Sequence, residues 1–114
     1  MASSGEELIR EWRDQIDELD RELVRLLNQR TECAIEIGKL KAAHEIPIYD
    51  PEREGVVAQN VGSASLGPLT RQAVQRVFER IIDETRRSER ESQFVTPSEG
   101  KVRESHSTLK GDKP

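Results

Sequence analysis

The sequence predicts an all-α fold: three helices, one very long, one short and one of medium length, forming an intertwined homodimeric helical bundle. Three observations support this prediction. Apolar residues recur at alternating intervals of four and three along the first third of the chain, as in a helix that packs against another helix. That helix is too long for the rest of the chain to cover, and two further helical segments follow it.

The long helix is predicted from about Glu6 to His44, with Ser3 or Ser4 as its cap. Its apolar stripe consists of Trp12, Ile16, Leu19, Leu23, Leu26, Cys33, Ile37 and Leu40. Arg30 occupies the stripe position between Leu26 and Cys33, where an arginine needs an anionic partner. Gly38 costs stability inside a helix, which predicts that a backbone or a ligand approaches it closely.

The length of this helix predicts a second copy of the chain. A helix of about 38 residues spans about 57 Å, whereas a compact domain of about 95 residues has a radius of gyration of about 12 Å. Because one chain covers only part of the stripe, we expect a homodimer that buries the remainder.

The short helix has the clearest start signal in the chain. Asp50 suits the N-cap and Pro51 the first helical position, and Glu52 and Glu54 suit the first turn. The composition of the segment from Gly62 to Pro68 predicts a loop after it.

The third helix is predicted from Pro68 or Thr70 to about Ser92. Its apolar stripe consists of Val74, Val77, Phe78, Ile81 and Ile82, and it becomes polar at Thr85 and then at Ser88 or Glu89. The polar composition of residues 94–114 predicts a disordered tail. The helical domain is therefore expected at residues 1–93.

Composition excludes several classes of function. The net charge is -4 and aromatic residues are few, which argues against a general binder of nucleic acid or anionic membranes. Without a membrane-length apolar run, we expect a cytoplasmic protein. The single cysteine, Cys33, excludes an internal disulfide and is predicted as a core thiol. Cys33, His44 and His106 are too widely spaced for a metal site, and no cofactor is expected.

Cationic residues on the long helix predict an anion site. Arg30 and Lys41 are eleven residues apart, about three turns, so they share a face about 16 Å long that suits a small ligand. Arg13 lies about 25 Å from Arg30 along the same helix. An antiparallel partner helix would bring the Arg13 of the other subunit to this place.

Each of these residues also has a structural interpretation. Arg13 and Lys41 suit a solvated helix surface, and Arg30 suits an ion pair with a glutamate of the partner. The remaining residues suit ordinary roles at helix ends: Asp50 as a cap, Glu54 as a first-turn acid, and Thr85 and Glu89 as a solvated terminus.

Five segments together carry a family resemblance, which covers about residues 7–92. They are Arg13–Asp20, Leu26–Arg30, Glu36–Lys41, Tyr49–Glu54 and Val77–Ile82. The pattern resembles the all-helical (AroQ-type) chorismate mutases, and the spacing fits without gaps up to Glu54.

The resemblance implies the rearrangement of chorismate to prephenate, on the route to phenylalanine and tyrosine, with no cofactor or metal. It implies that Arg13 of one subunit and Arg30 of the other bind the two substrate carboxylates. Lys41 would contact a carboxylate and the ether oxygen, and Glu54 would accept a hydrogen bond from the ring hydroxyl.

The resemblance further implies that Asp50 and Arg53 frame the pocket and that Thr85 bonds near a carboxylate. Glu89 stands where some members have glutamine, and this position must donate a hydrogen bond to the ether oxygen. Because an ionised carboxylate only accepts, a functioning Glu89 must be protonated. Neighbouring cations oppose protonation and burial favours it. We therefore expect activity to rise as pH falls from 8 toward 5.

Two other functions fit the same pattern. An isochorismate pyruvate lyase shares the fold and the cationic site, although Glu54 with Asp50 and Arg53 favours the mutase. A non-catalytic helical dimerisation or regulatory module would bind a dianion at Arg30 without turnover. Docking to another enzyme of the shikimate pathway is also left open.

Overall fold

The structure, a computed structural model, describes residues 4–92, which form three helices. These are α1 (Gly5–Ala43), α2 (Pro51–Ala64) and α3 (Arg71–Ser92). Residues 4–92 contain no β-strand, so the predicted all-α, three-helix class is confirmed. The homodimeric bundle stays a prediction, and the predicted tail at 94–114 lies outside the described residues.

The chain divides into two compact units, Met1–Cys33 and Ala34–Pro114, so the division falls within α1. In the first unit, Ser4 caps α1: its Oγ accepts from the Glu7 N–H at 3.1 Å, and the Glu7 carboxylate accepts from the Ser4 N–H at 3.2 Å. This reciprocal capping box satisfies two donors at the helix start.

The apolar stripe of the first unit is uncovered in the single chain. Trp12 is 66% exposed and Leu19 is 61% exposed. Cys33, predicted as a core thiol, is also exposed. That prediction is wrong for the single chain, because the described residues 4–92 leave Cys33 exposed.

In the second unit, α1 ends in a left-handed cap at Glu45, whose φ is +58°. The Ile46 N–H donates to the Lys41 carbonyl at 2.8 Å, and the Glu45 N–H donates to the Ala42 carbonyl at 3.4 Å. These two bonds form a Schellman motif with glutamate at the position that glycine usually occupies.

The start of α2 lies where the sequence predicted it, whereas its end lies later than predicted. Asp50 Oδ1 accepts from the Arg53 N–H at 3.0 Å, and Pro51 follows in the first turn. The loop predicted from Gly62 begins only after Ala64. Gly62 is buried against α3, where a Cβ would lie 2.7 Å from Arg71 Cγ. The glycine therefore makes room for a neighbour inside the helix and does not end it.

Within the second unit, α2 and α3 pack against each other. Thr70 caps α3, since its Oγ1 accepts from the Ala73 N–H at 3.0 Å. Val57 of α2 is buried, and the Gln75 side chain of α3 donates to the Ala58 carbonyl at 3.0 Å. Among residues 4–92, no helix combines the length and apolarity needed to cross a membrane.

Candidate active site

Lys41, a predicted site residue, is half-buried in the last turn of α1. Its Nζ donates to the Ile48 carbonyl at 3.1 Å, which fixes the side chain against the segment that leads into α2. An ammonium group has three donors. Two N–H bonds of Lys41 therefore remain for another acceptor.

Three predicted site residues share the first turn of α2. Asp50 and Arg53 are exposed, and Glu54 is half-buried. The cap sets their arrangement: the Asp50 side chain holds the Arg53 N–H, and the Asp50 carbonyl accepts from the Glu54 N–H at 3.1 Å. A local signal in the sequence thus positions the whole group.

Glu54 forms an ion pair across the unit with Arg86 of α3: Arg86 Nη2 donates to Glu54 Oε2. The Arg86 guanidinium also lies over the Tyr49 ring, 5.3 Å from its centroid, a cation–π arrangement. The sequence analysis did not identify Arg86. Its spacing was a usable signal, because it lies four residues after Ile82 and eight after Phe78 on the apolar side of α3.

Glu89 is buried in α3, at 8% exposure, and Thr85 one turn before it is half-buried. A Cβ on Gly38 of α1 would lie 3.3 Å from Glu89 Cβ and 3.4 Å from the Glu89 carbonyl oxygen. Gly38 therefore allows α3 to approach the last turns of α1, as its position in the sequence predicted. Burial favours the neutral form of a carboxyl group.

Arg13 and Arg30 belong to the first unit. Arg13 is exposed and Arg30 is half-buried on α1. A guanidinium is always charged and binds carboxylates in a bidentate fashion. Both residues are thus suited to an anionic ligand.

A cleft of about 250 Å³ lies between α2 and α3 in the second unit. Glu54 lines it, together with apolar side chains such as Phe78 and Ile82. The other predicted site residues are not among its lining residues. Residues 4–92 also contain no group of three or more His, Cys, Asp or Glu side chains that could hold a metal ion.

Comparison with known proteins gives one family. A family model described as chorismate mutase type II matches residues 12–90. The bifunctional chorismate mutase/prephenate dehydratase of Neisseria gonorrhoeae is 37% identical over 84 residues, which cover 74% of this chain and 23% of that protein. The T-protein of Haemophilus influenzae is 34% identical over 91 residues, 79% of this chain and 24% of that protein. The chain thus spans about a quarter of the length of these curated relatives.

Solved structures resemble the fold over nearly their whole length. The chorismate mutase (form II) of Thermus thermophilus is 30% identical, with a TM-score of 0.72, and the match covers 74% of this chain and 96% of that one. The chorismate mutase of Helicobacter pylori, in complex with prephenate, is 27% identical with a TM-score of 0.71. That match covers 78% of this chain and 98% of that one.

Proposed function

Since the chain belongs to the type II chorismate mutase family, we propose that it is an isomerase that converts chorismate to prephenate. One observation carries the proposal: the family match over residues 12–90 includes all eight predicted site residues. They are Arg13, Arg30, Lys41, Asp50, Arg53, Glu54, Thr85 and Glu89.

The reaction is an intramolecular Claisen rearrangement. One carbon–oxygen bond of the ether breaks while one carbon–carbon bond forms, and no atom is gained or lost. The protein must hold the substrate in a compact conformer and stabilise the negative charge that grows on the ether oxygen. Such a step needs neither a nucleophile nor a redox group.

In this proposal Lys41 and Glu89 act on the ether oxygen. The hydrogen bond from Lys41 to Ile48 fixes the ammonium direction and leaves two donors for substrate. The burial of Glu89 supports a protonated carboxyl that donates the second hydrogen bond. Thr85, one turn before Glu89, would bond near a substrate carboxylate.

The start of α2 would recognise the rest of the ring. Glu54 accepts from the ring hydroxyl, and Asp50 and Arg53 frame the pocket. The cap at Asp50 supports this role, because it fixes the backbone of the turn that carries all three residues.

We further propose a cytoplasmic homodimer in which Arg30 binds one substrate carboxylate and the Arg13 of the second copy binds the other. The exposed apolar stripe of the first unit supports the dimer. A single cysteine, which allows no internal disulfide, suits the cytoplasm. Docking to another enzyme of the same pathway would be compatible with this arrangement.

The test is the loss of chorismate absorbance with purified protein, with the product identified. Prephenate formation that depends on Lys41, lost in a Lys41→Ala variant, is the expected result. Intact chorismate, or pyruvate released from isochorismate, would contradict the proposal. Saturable binding of chorismate without turnover would indicate the regulatory module.

A further inference from the structure

Arg86 differs from the other arginines of α3 that form ion pairs. Its side chain is 19% exposed, whereas those of Arg80 and Arg87 are 73% and 65% exposed. Arg80 and Arg87 pair with Glu84 on their own helix, and exposed pairs of this kind contribute little to stability. Arg86 instead reaches from α3 to Glu54 on α2.

The guanidinium of Arg86 is held by three neighbours in the second unit. Glu54 accepts from Nη2, Asp83 Oδ1 lies 3.6 Å from Nη1, and the Tyr49 ring lies under the guanidinium carbon. A planar group held by a carboxylate, a second acid and an aromatic face has little rotational freedom. The ion pair with Arg86 therefore restricts the orientation of the Glu54 side chain.

The hydrogen bond uses only one oxygen of Glu54. Arg86 Nη2 donates to Oε2, and a carboxylate has about four acceptor sites over its two oxygens. Oε1 thus keeps acceptor capacity for a second donor. A carboxylate paired with a guanidinium is a strong acceptor, so a second hydrogen bond at Oε1 would also be charge-assisted.

We propose that Arg86 is a positioning residue that orients Glu54, so that its Oε1 accepts a hydrogen bond from the ring hydroxyl of the substrate. This inference rests on the proposed function and on the role of Glu54 in it. Arg86 itself touches no substrate atom in this arrangement. Its effect reaches the substrate through Glu54.

The test is a double-mutant cycle of Arg86→Gln and Glu54→Gln, measured as kcat and KM for chorismate, with a melting temperature for each protein. Arg86→Gln is expected to lower kcat/KM about tenfold, the loss of one charge-assisted hydrogen bond. The ring hydroxyl itself neither makes nor breaks a bond in the rearrangement, so its hydrogen bond to Glu54 is expected to be similar in the ground state and the transition state, and the loss should appear chiefly as a higher KM. In the Glu54→Gln background the same change is expected to have almost no further effect.

Two further variants separate positioning from general charge or folding effects. Arg87→Gln makes the same change one residue along α3, at an exposed side chain, and is expected to leave kcat/KM unchanged. Arg86→Lys keeps the charge without the planar fork, so it is expected to restore part of the loss. It also provides a second variant if Arg86→Gln does not fold.

Each outcome has a separate meaning. Wild-type protein that does not convert chorismate overturns the proposed function, and this inference with it. Normal turnover in wild type, with Arg86→Gln as active as Arg87→Gln, overturns the inference alone. An equal loss from Arg86→Gln in both backgrounds does the same, because Arg86 would then act independently of Glu54.

Discussion

The residue that most constrains the proposed chemistry is Glu89, a buried carboxyl on α3. Its burial, at 8% exposure, favours the neutral form. A neutral carboxyl donates a hydrogen bond, which the ether oxygen requires, and an ionised one does not. The protonated fraction of any carboxyl grows as pH falls. The proposed activity should therefore be greatest on the acid side.

We expect kcat/KM for chorismate to rise as pH falls from 8 toward 5, and a Glu89→Gln variant to lose this dependence. Glutamine donates at every pH in this range. The ratio of the variant's kcat/KM to that of wild type should therefore be largest at pH 8. Initial rates across the pH range check this. Glu91→Gln, an exposed change on the same helix, should keep the wild-type profile. A flat wild-type profile with an equally active Glu89→Gln would remove Glu89 from its role.

At the scale of helices, the contact between Gly38 and Glu89 sets the position of α3 against the end of α1. A Cβ at Gly38 would lie 3.3 Å from Glu89 Cβ, a tight contact, and at ordinary contact distance from the Glu89 carbonyl oxygen and Cα. Because the backbone fixes the position of Cβ, relief of this contact requires a shift of a few tenths of an ångström that also displaces the carboxyl of Glu89.

Gly38→Ala is expected to lower activity several-fold through misplacement of Glu89. Its free energy of unfolding should stay within about 1 kcal/mol of wild type, because the gain in helix propensity offsets the crowding. Gly55 is the matched control, since a Cβ there would have no neighbour within 4 Å. Gly55→Ala should stabilise the protein by about 1 kcal/mol and leave activity unchanged. Urea unfolding and steady-state rates measure both, and a fully active Gly38→Ala would contradict the expectation.

At the cap residue Glu45, in contrast to helix-interior positions, a change to glycine is expected to increase stability. Its φ of +58° is unfavourable for a side chain with a Cβ and neutral for glycine. Glu45→Gly should therefore stabilise the protein by about 0.5 kcal/mol, after the greater chain entropy of glycine is deducted. Glu36→Gly, within α1, should destabilise it by about 1 kcal/mol. Equal urea midpoints for the two variants would show that the cap is not strained.

The sequence predicted helix starts better than helix contacts. Asp50 and Pro51 are local signals, and the start of α2 follows from them. The end of α2 was predicted too early, because the role of Gly62 depends on Arg71 of another helix. The pair of Glu54 and Arg86 was missed for the same reason: helical spacing places Arg86 on the apolar side of α3, but it does not identify a partner 32 positions away on another helix.

At the scale of the whole molecule, the exposed apolar stripe of the first unit is the feature that a single chain leaves unexplained. Leucines and a tryptophan that are more than half exposed follow one another along it. Large contiguous apolar surfaces of this kind mark interfaces. The proposed homodimer would bury the stripe and would also supply Arg13 to the site of its partner.

Mixing two inactive variants tests this exchange. Arg13→Ala and Arg30→Ala should each be nearly inactive as pure dimers, because every site then lacks one of the two arginines proposed to bind the substrate carboxylates. In a mixed dimer one site carries both changes and the other carries neither. Co-refolding in equal amounts should restore about a quarter of wild-type activity, since half of the dimers are mixed and each has one intact site. No recovery would place both arginines of a site on one chain.

Because of the uncovered stripe of α1, the stability and activity of this protein should depend on its own concentration. If burial of the stripe depends on a second chain, mass action couples folding to assembly. Each tenfold dilution then reduces the stability of the assembled state relative to separate unfolded chains by about 1.4 kcal/mol. The melting temperature should fall on dilution, and the rate per chain should fall with it. A cell that makes less of this protein would thus lose activity faster than it loses protein.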